Sequence, residues 1–303
     1  MRAPILERLA SGEVLLADGA TGTMLLAAGL PTGVPGEAWV LERPEEIKKL
    51  HRAYVAAGSQ LILTSTFGGS RSRLAKAGLG AQVTEINRRA AELAREVAAE
   101  GQMDRRTAVR PERPYVGGDI GPSGEMMPPL GKLTYAAAVE VFAEQAGALA
   151  AGGVDCIYIE TMSDLNEARA AVEGAKQACD LPVFCTFSFD TRGRTGFGVS
   201  PAQAARAMAE MGVSAVGANC GHAPEEVLDF LPELRAAAPG LILIAKPNAG
   251  LPRMVDRHVV YDAGPERMAE LARQYAALGA SIVGTCCGSS PEHIAAIAAA
   301  LHP

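Results

Sequence analysis

The chain has 303 residues, 49% of them apolar and 20% charged, with a formal net charge of -6. That length holds one large domain or two small ones and supplies a sizeable core. The acidic balance, without a basic arm or a block of like charge, argues against nucleic acid as the main partner.

No run reaches the ~18 apolar residues of a membrane span, and the first ten residues lack a signal peptide's apolar stretch. The six cysteines are too unevenly spread for a disulfide framework, so a reducing cytoplasm is the expected compartment. A short β-type run, a loop and an amphipathic helical stretch repeat eight times. The runs are 14–17, 61–64, 115–118, 156–159, 182–185, 215–218, 241–244 and 281–284. They lack polar alternation, as strands buried on both faces do. The helical stretch 44–57 opens with Pro44 and two glutamates and closes at Gly58, the order a helix prefers. Stretch 135–151 closes at Gly152-Gly153, and 265–278 at Gly279. Stretches 224–238 and 291–301 open with proline and then glutamate. Segments 32–39 and 126–133 are irregular, and 103–114 reads as a surface loop. Eight β/α units in this length fit a (β/α)8 TIM barrel of the α/β class, with an open doubly wound sheet as the alternative. No low-complexity linker divides the chain, so residues 1–303 are read as a single domain.

In a barrel the C-terminal strand ends share one rim, and chemistry gathers there. The first run leads into Asp18-Gly19-Ala20-Thr21-Gly22-Thr23. Asp18 there could bind an ammonium while nearby amides bind a carboxylate, or it could simply cap a turn. Glu160, ending the fourth run, suits an amino group or a buried arginine partner; Asp164 suits the cap of the next helix. Thr64 to Gly69, Asp119, Asn219 and Lys246 to Gly250 fall on the same rim. Cys220 follows the sixth run, and Cys286 and Cys287 follow the eighth. Three thiolates fill three of the four positions zinc favours and leave one for substrate. Adjacent strand residues point to opposite faces, so both Cys286 and Cys287 reach one ion only if the pleat breaks, which Gly288 permits. The competing readings are small buried hydrophobes or a vicinal disulfide. Cys156, Cys179 and Cys185 read as structural. His222 and His258 are further ligand candidates, though three thiols suffice.

Together these motifs resemble the homocysteine S-methyltransferase family over nearly the whole chain. The residues that carry the resemblance are Asp18 to Thr23, Ile159 to Asp164, Asn219-Cys220 and Gly284-Thr285-Cys286-Cys287-Gly288. The resemblance implies a zinc-bearing (β/α)8 barrel with zinc at the C-terminal strand ends, held by Cys220, Cys286 and Cys287. It implies that Asp18 and Glu160 hold the homocysteine amino group, with Asn219 in the substrate site. Amides around Gly19 and Ala20 would hold the carboxylate. The implied reaction moves a methyl group to the homocysteine thiolate and gives methionine. Thr64 to Gly69, and 159–168, look most like the homocysteine module of cobalamin-dependent methionine synthase. A methylated corrinoid, carried by a separate protein or by cobalamin and folate modules, is therefore the expected donor. A small onium donor such as S-methylmethionine, S-adenosylmethionine or betaine is the alternative. Onium groups favour aromatic faces, and Trp39 and Phe67 are the candidates for that. Zinc hydrolysis and a structural zinc site are the readings from other classes.

Overall fold

The computed structural model describes residues 3–100, 113–255 and 258–302, with side chains throughout except at 254–260. Most of the expected 103–114 loop lies outside the described residues. Among the described residues ten strands occur in chain order: β1 (Leu15–Leu16), β2 (Leu61–Leu63), β3 (Tyr115–Ile120), β4 (Cys156–Met162), β5 (Val183–Phe187), β6 (Ala215–Cys220), β7 (Ile242–Pro247), β8 (Arg253–Val255), β9 (His258–Val260) and β10 (Ala280–Val283). All but β8 and β9 form one parallel sheet in the order β1-β10-β7-β6-β5-β4-β3-β2. A parallel bridge from Ala17 to Leu61 joins its two ends. That closure makes the sheet a (β/α)8 barrel, and the open alternative is excluded.

Alternation along the strands builds two cores. Leu15, Leu61, Leu63, Tyr115, Cys156, Tyr158, Phe184, Ala215, Ile244 and Ile282 fill the barrel interior. Their neighbours Leu16, Ile62, Val116, Ile157, Val216, Leu243 and Val283 face the helical ring. Each large side chain so buried contributes about 1.5–3 kcal/mol, so both faces of every strand must be apolar. The N-terminal helix Ile5–Ala10 sends Ile5 and Leu9 into the interior cluster and stoppers one end of the barrel.

The helices Tyr135–Ala151 and Pro291–Leu301 have the expected bounds. Asp164 caps the helix Leu165–Ala178 by accepting from the Asn166 N–H at 2.7 Å. The expected helix 224–238 divides into a 3-10 turn, Pro224–Glu226, and the helix Val227–Ala237. The antiparallel pair β8 and β9 lies in the connection after β7, where runs of three residues are too short to read as strands. Among the described residues no helix is long and apolar enough to cross a membrane.

Candidate metal and acceptor site

Strand parity sets the polar floor of the site. The interior rows run Tyr115-Gly117-Asp119 on β3, Cys156-Tyr158-Glu160 on β4, Ala215-Gly217-Asn219 on β6 and Ile242-Ile244-Lys246 on β7. Each row is apolar or small below and polar at the C-terminal end. The chain thus places Asp119, Glu160, Asn219 and Lys246 in one layer above a packed interior. Over that layer opens a cavity of about 780 Å³, lined among others by Asp18, Ser65, Asp119, Glu160, Lys246 and the three rim cysteines.

The cysteines meet. The Sγ atoms of Cys220, Cys286 and Cys287 all lie within 4.8 Å of one another. Cys220 and Cys286 stand 3.2 Å apart. Cys220 ends β6 with φ at +60°, a left-handed conformation costing about 1–3 kcal/mol that functional sites tolerate. Cys286 and Cys287 lie beyond β10, in the turn that follows it, so no strand pleat opposes them. Gly288 has φ at +81°, and a Cβ there would strike the Tyr261 ring. Asn248 ties the two thiol turns together. Its Oδ1 accepts from the Cys287 N–H at 3.0 Å, its Nδ2 donates to Gly221 O at 2.8 Å, and its own N–H donates to Cys220 O at 3.3 Å. Hydrogen bonds from the other two thiols pull Cys287 down to about 3, while Cys220, as donor to them, is pushed up.

The set fits a zinc ion. Tetrahedral zinc with Zn–S bonds of about 2.3 Å brings sulfur atoms to about 3.8 Å from each other, a small adjustment from this spacing. Among the described residues no histidine or carboxylate joins the three thiols, which leaves a fourth position open. His222 is exposed and outside the group, and the side chain of His258 lies outside the described set.

Asp18, expected to hold an ammonium, is already occupied. Its Oδ2 accepts from the Leu63 N–H at 2.7 Å and its Oδ1 from Lys246 Nζ at 3.2 Å. Lys246 is itself buried, with Glu160 Oε2 at 4.0 Å and the Tyr158 ring centroid at 5.3 Å. Burial alone would lower this lysine, but Asp18 and Glu160 outweigh it and hold the ammonium charged. Burial raises Asp18, against the pull of Lys246 and Leu63. Burial also pushes Glu160 up to about 8, with Cys286 and Asp18 adding to it and Lys246 opposing. Asp119 is raised by burial and then by Glu160.

Gly19 packs so closely that a Cβ would lie 2.6 Å from Ser289 Oγ and 2.8 Å from Thr285 Oγ1. The Ala20 N–H, expected to face a carboxylate, donates to Ser289 Oγ at 3.1 Å. Asn219 is absent from the cavity wall: its Oδ1 accepts from the Thr161 N–H and the Thr186 hydroxyl, and its Nδ2 donates to Thr161 Oγ1. It locks the ends of β4, β5 and β6 beside Cys220. Trp39 is 2% exposed, part of the outer core and off the cavity wall, so it offers no face to a donor. The short helix Ala38–Glu42 carries it inward, where burial of its ring outweighs the loop expected there. Phe67 does line the cavity, but the Arg73 guanidinium covers its ring at 5.2 Å. From the sequence Lys246 and Asp119 fall on the rim with no role assigned to either; a lysine closing a buried apolar run is the signal that marks Lys246.

Residues 15–301 match the family model described as homocysteine S-methyltransferase. Methionine synthase from Mycobacterium tuberculosis (strain ATCC 25618 / H37Rv) is 34% identical over 304 residues, covering 96% of this chain and 25% of that protein. Methionine synthase from Mycobacterium leprae (strain TN) is also 34% identical, over 98% of this chain and 25% of its own length. The chain therefore spans about a quarter of the length of these curated relatives. Among solved structures, the metallated form of the homocysteine methyltransferase MmuM from Escherichia coli aligns with a TM-score of 0.81 at 26% identity, over 98% of this chain and 99% of that one. Its oxidized form aligns with a TM-score of 0.82 at 25% identity, with the same coverage.

Proposed function

This chain belongs to the homocysteine S-methyltransferase family, and on that premise we propose that it methylates homocysteine on a zinc site to give methionine. The observation that carries the reading is the convergence of three thiols, from two strand ends, on the mouth of one cavity. Cys220, Cys286 and Cys287 would hold the ion. Bound there, zinc would ionise a thiol at its open fourth position. The buried carboxylates beneath the thiols, Glu160 among them, hold the acceptor's amino group, and the backbone at Gly19 faces its carboxylate. Asn219 and Asn248 fix the cysteine turns. The acceptor thiol gives up its proton to solvent, and its sulfur attacks the donor's methyl carbon in line. The new S–C bond forms as the methyl–donor bond breaks, and that electron pair leaves with the donor. Residues 1–303 act as one homocysteine-binding domain.

For the donor we favour a methylated corrinoid brought by a separate protein or by further modules. No free aromatic face awaits an onium group among the described cavity residues, since Trp39 is buried and Phe67 is covered. Arg73 and Lys76 also line the cavity and would repel a cationic donor. A small onium donor is the second reading.

The test is to incubate zinc-loaded protein and homocysteine with methylcobalamin, and separately with S-methylmethionine, and to measure methionine. Methionine from methylcobalamin alone is expected. Methionine from the sulfonium alone would reverse the donor assignment, and none from either would sink the reaction. Alanine at Cys220, Cys286 or Cys287 is expected to remove zinc and activity together.

A further inference from the structure

Thr161 sits where a regular strand would not put it. Adjacent residues of a strand point to opposite faces, so with Glu160 directed inward Thr161 belongs on the helical side. Both nevertheless line the cavity. The pairing of β4 with β5 changes register between Ile159 and Met162, and Thr161 has φ at +62°. A bulge of this kind re-aims a side chain. For a β-branched residue the left-handed conformation is a genuine outlier, which the surroundings must impose.

Asn219 fixes which way the protons run at this bend. One end of its amide faces the Thr161 N–H at 2.8 Å and the Thr186 hydroxyl at 2.6 Å. A backbone N–H can only donate, so that end is the amide oxygen, Oδ1. The amide nitrogen takes the other side and lies 2.7 Å from Thr161 Oγ1. An amide nitrogen donates and does not accept, so the threonine oxygen is the acceptor of that bond. The hydroxyl hydrogen of Thr161 is then left for a different partner. Cys220 Sγ stands 3.8 Å from Thr161 Oγ1, within reach of an O–H to sulfur bond. The Asn219 Nδ2 lies 3.7 Å from the same sulfur.

We propose that Thr161 is a positioning residue of the thiol cluster: its hydroxyl donates to Cys220 Sγ, and the left-handed bend at the end of β4 aims it there. This rests on the metal reading above and adds a residue that tunes it. Three cysteinates on a dication leave one excess negative charge, and a hydrogen bond to one sulfur withdraws part of it. That sulfur would then give less charge to the ion. The open position becomes a stronger Lewis acid for the incoming acceptor thiol.

The test loads the protein with cobalt(II) and reads the sulfur-to-cobalt charge-transfer absorption, whose energy follows that of the thiolate lone pairs. Thr161→Val keeps the side-chain shape and removes the hydroxyl. Its band is expected at longer wavelength than in the wild type, and Thr161→Ser is expected to keep the wild-type position. Zinc affinity, measured by chelator competition, is expected to fall about tenfold in Thr161→Val and less in Thr161→Ser. A merely structural role would lower affinity without moving the band. The thermal transition reports folding, and Thr161→Ala stands in if Thr161→Val does not fold. An unmoved band in the variant without a hydroxyl overturns the proposal, as does an equal shift in Thr161→Ser. Weaker homocysteine binding with an unmoved band overturns it as well, and places the hydroxyl on the acceptor instead. If the wild-type protein gives no thiolate band with cobalt, the metal reading itself fails and takes this proposal with it.

Discussion

Lys246 is the residue that most changes the chemistry of the cavity. A lysine placed in an apolar barrel would lose its proton unless anions surround it. Here Asp18 lies 3.2 Å away and Glu160 4.0 Å away. Removing the lysine leaves Asp18 a buried carboxylate without its counter-ion. Lys246→Met is therefore expected to destabilise the fold by about 3–5 kcal/mol, as breaking a buried pair does. Adding Asp18→Asn should recover much of that loss, because the two sites couple directly. Urea denaturation of both single variants and the double variant measures the coupling. Simple additivity would mean that the pair does not act as a unit.

At the scale of elements, the proposed metal site is built from one strand end and the turns beside it. Cys220 closes β6, Cys286 and Cys287 follow β10, and Asn248 follows β7. The three turns are neighbours because β6, β7 and β10 are consecutive in the sheet. Asn248 converts that adjacency into a fixed sulfur geometry through its bonds to Cys287, Gly221 and Cys220. Asn248→Ala is expected to weaken zinc affinity about 10–100-fold, the usual effect of losing a group that orients ligands. The change removes no sulfur, so stoichiometric zinc should return at high metal concentration. Competition with a chromophoric chelator reads this directly, and unchanged affinity would show that the turns hold themselves.

For the whole molecule, acid stability depends in part on one buried histidine. His51 sits on the buried side of the helix Pro44–Ala56, and its Nε2 has no hydrogen-bond partner. Burial lowers it from its ordinary 6.5 to about 4. The folded pKa is the lower one, so the unfolded chain takes up the proton first as pH falls. Stability is full above pH 6.5 and is lost as pH drops toward 4, by about 3 kcal/mol. His51→Leu should remove that loss. The test compares the difference in urea midpoint between pH 7 and pH 5 in the two proteins; equal differences would clear His51 of the role.

The eight barrel strands, their order along the chain and the cysteine rim were legible in the sequence. Buried parallel strands must be apolar on both faces, and helices announce their ends with proline, acidic residues and glycine. The family, too, was legible, because its motifs occupy strand ends that local pattern already marks. Pairings across the barrel were not. Lys246 and Asp18 are 228 positions apart, and only closure of the sheet brings them within a hydrogen bond. Local sequence carries propensity and periodicity, but which charge meets which depends on register and closure. For the same reason Trp39 read as a rim aromatic and proved to be core. The sequence by itself determined a barrel of this family with three cysteines on its rim, because buried strands and their ends are written in local pattern; only the tertiary structure decided which charges meet in its cavity, because those pairings depend on closure of the sheet.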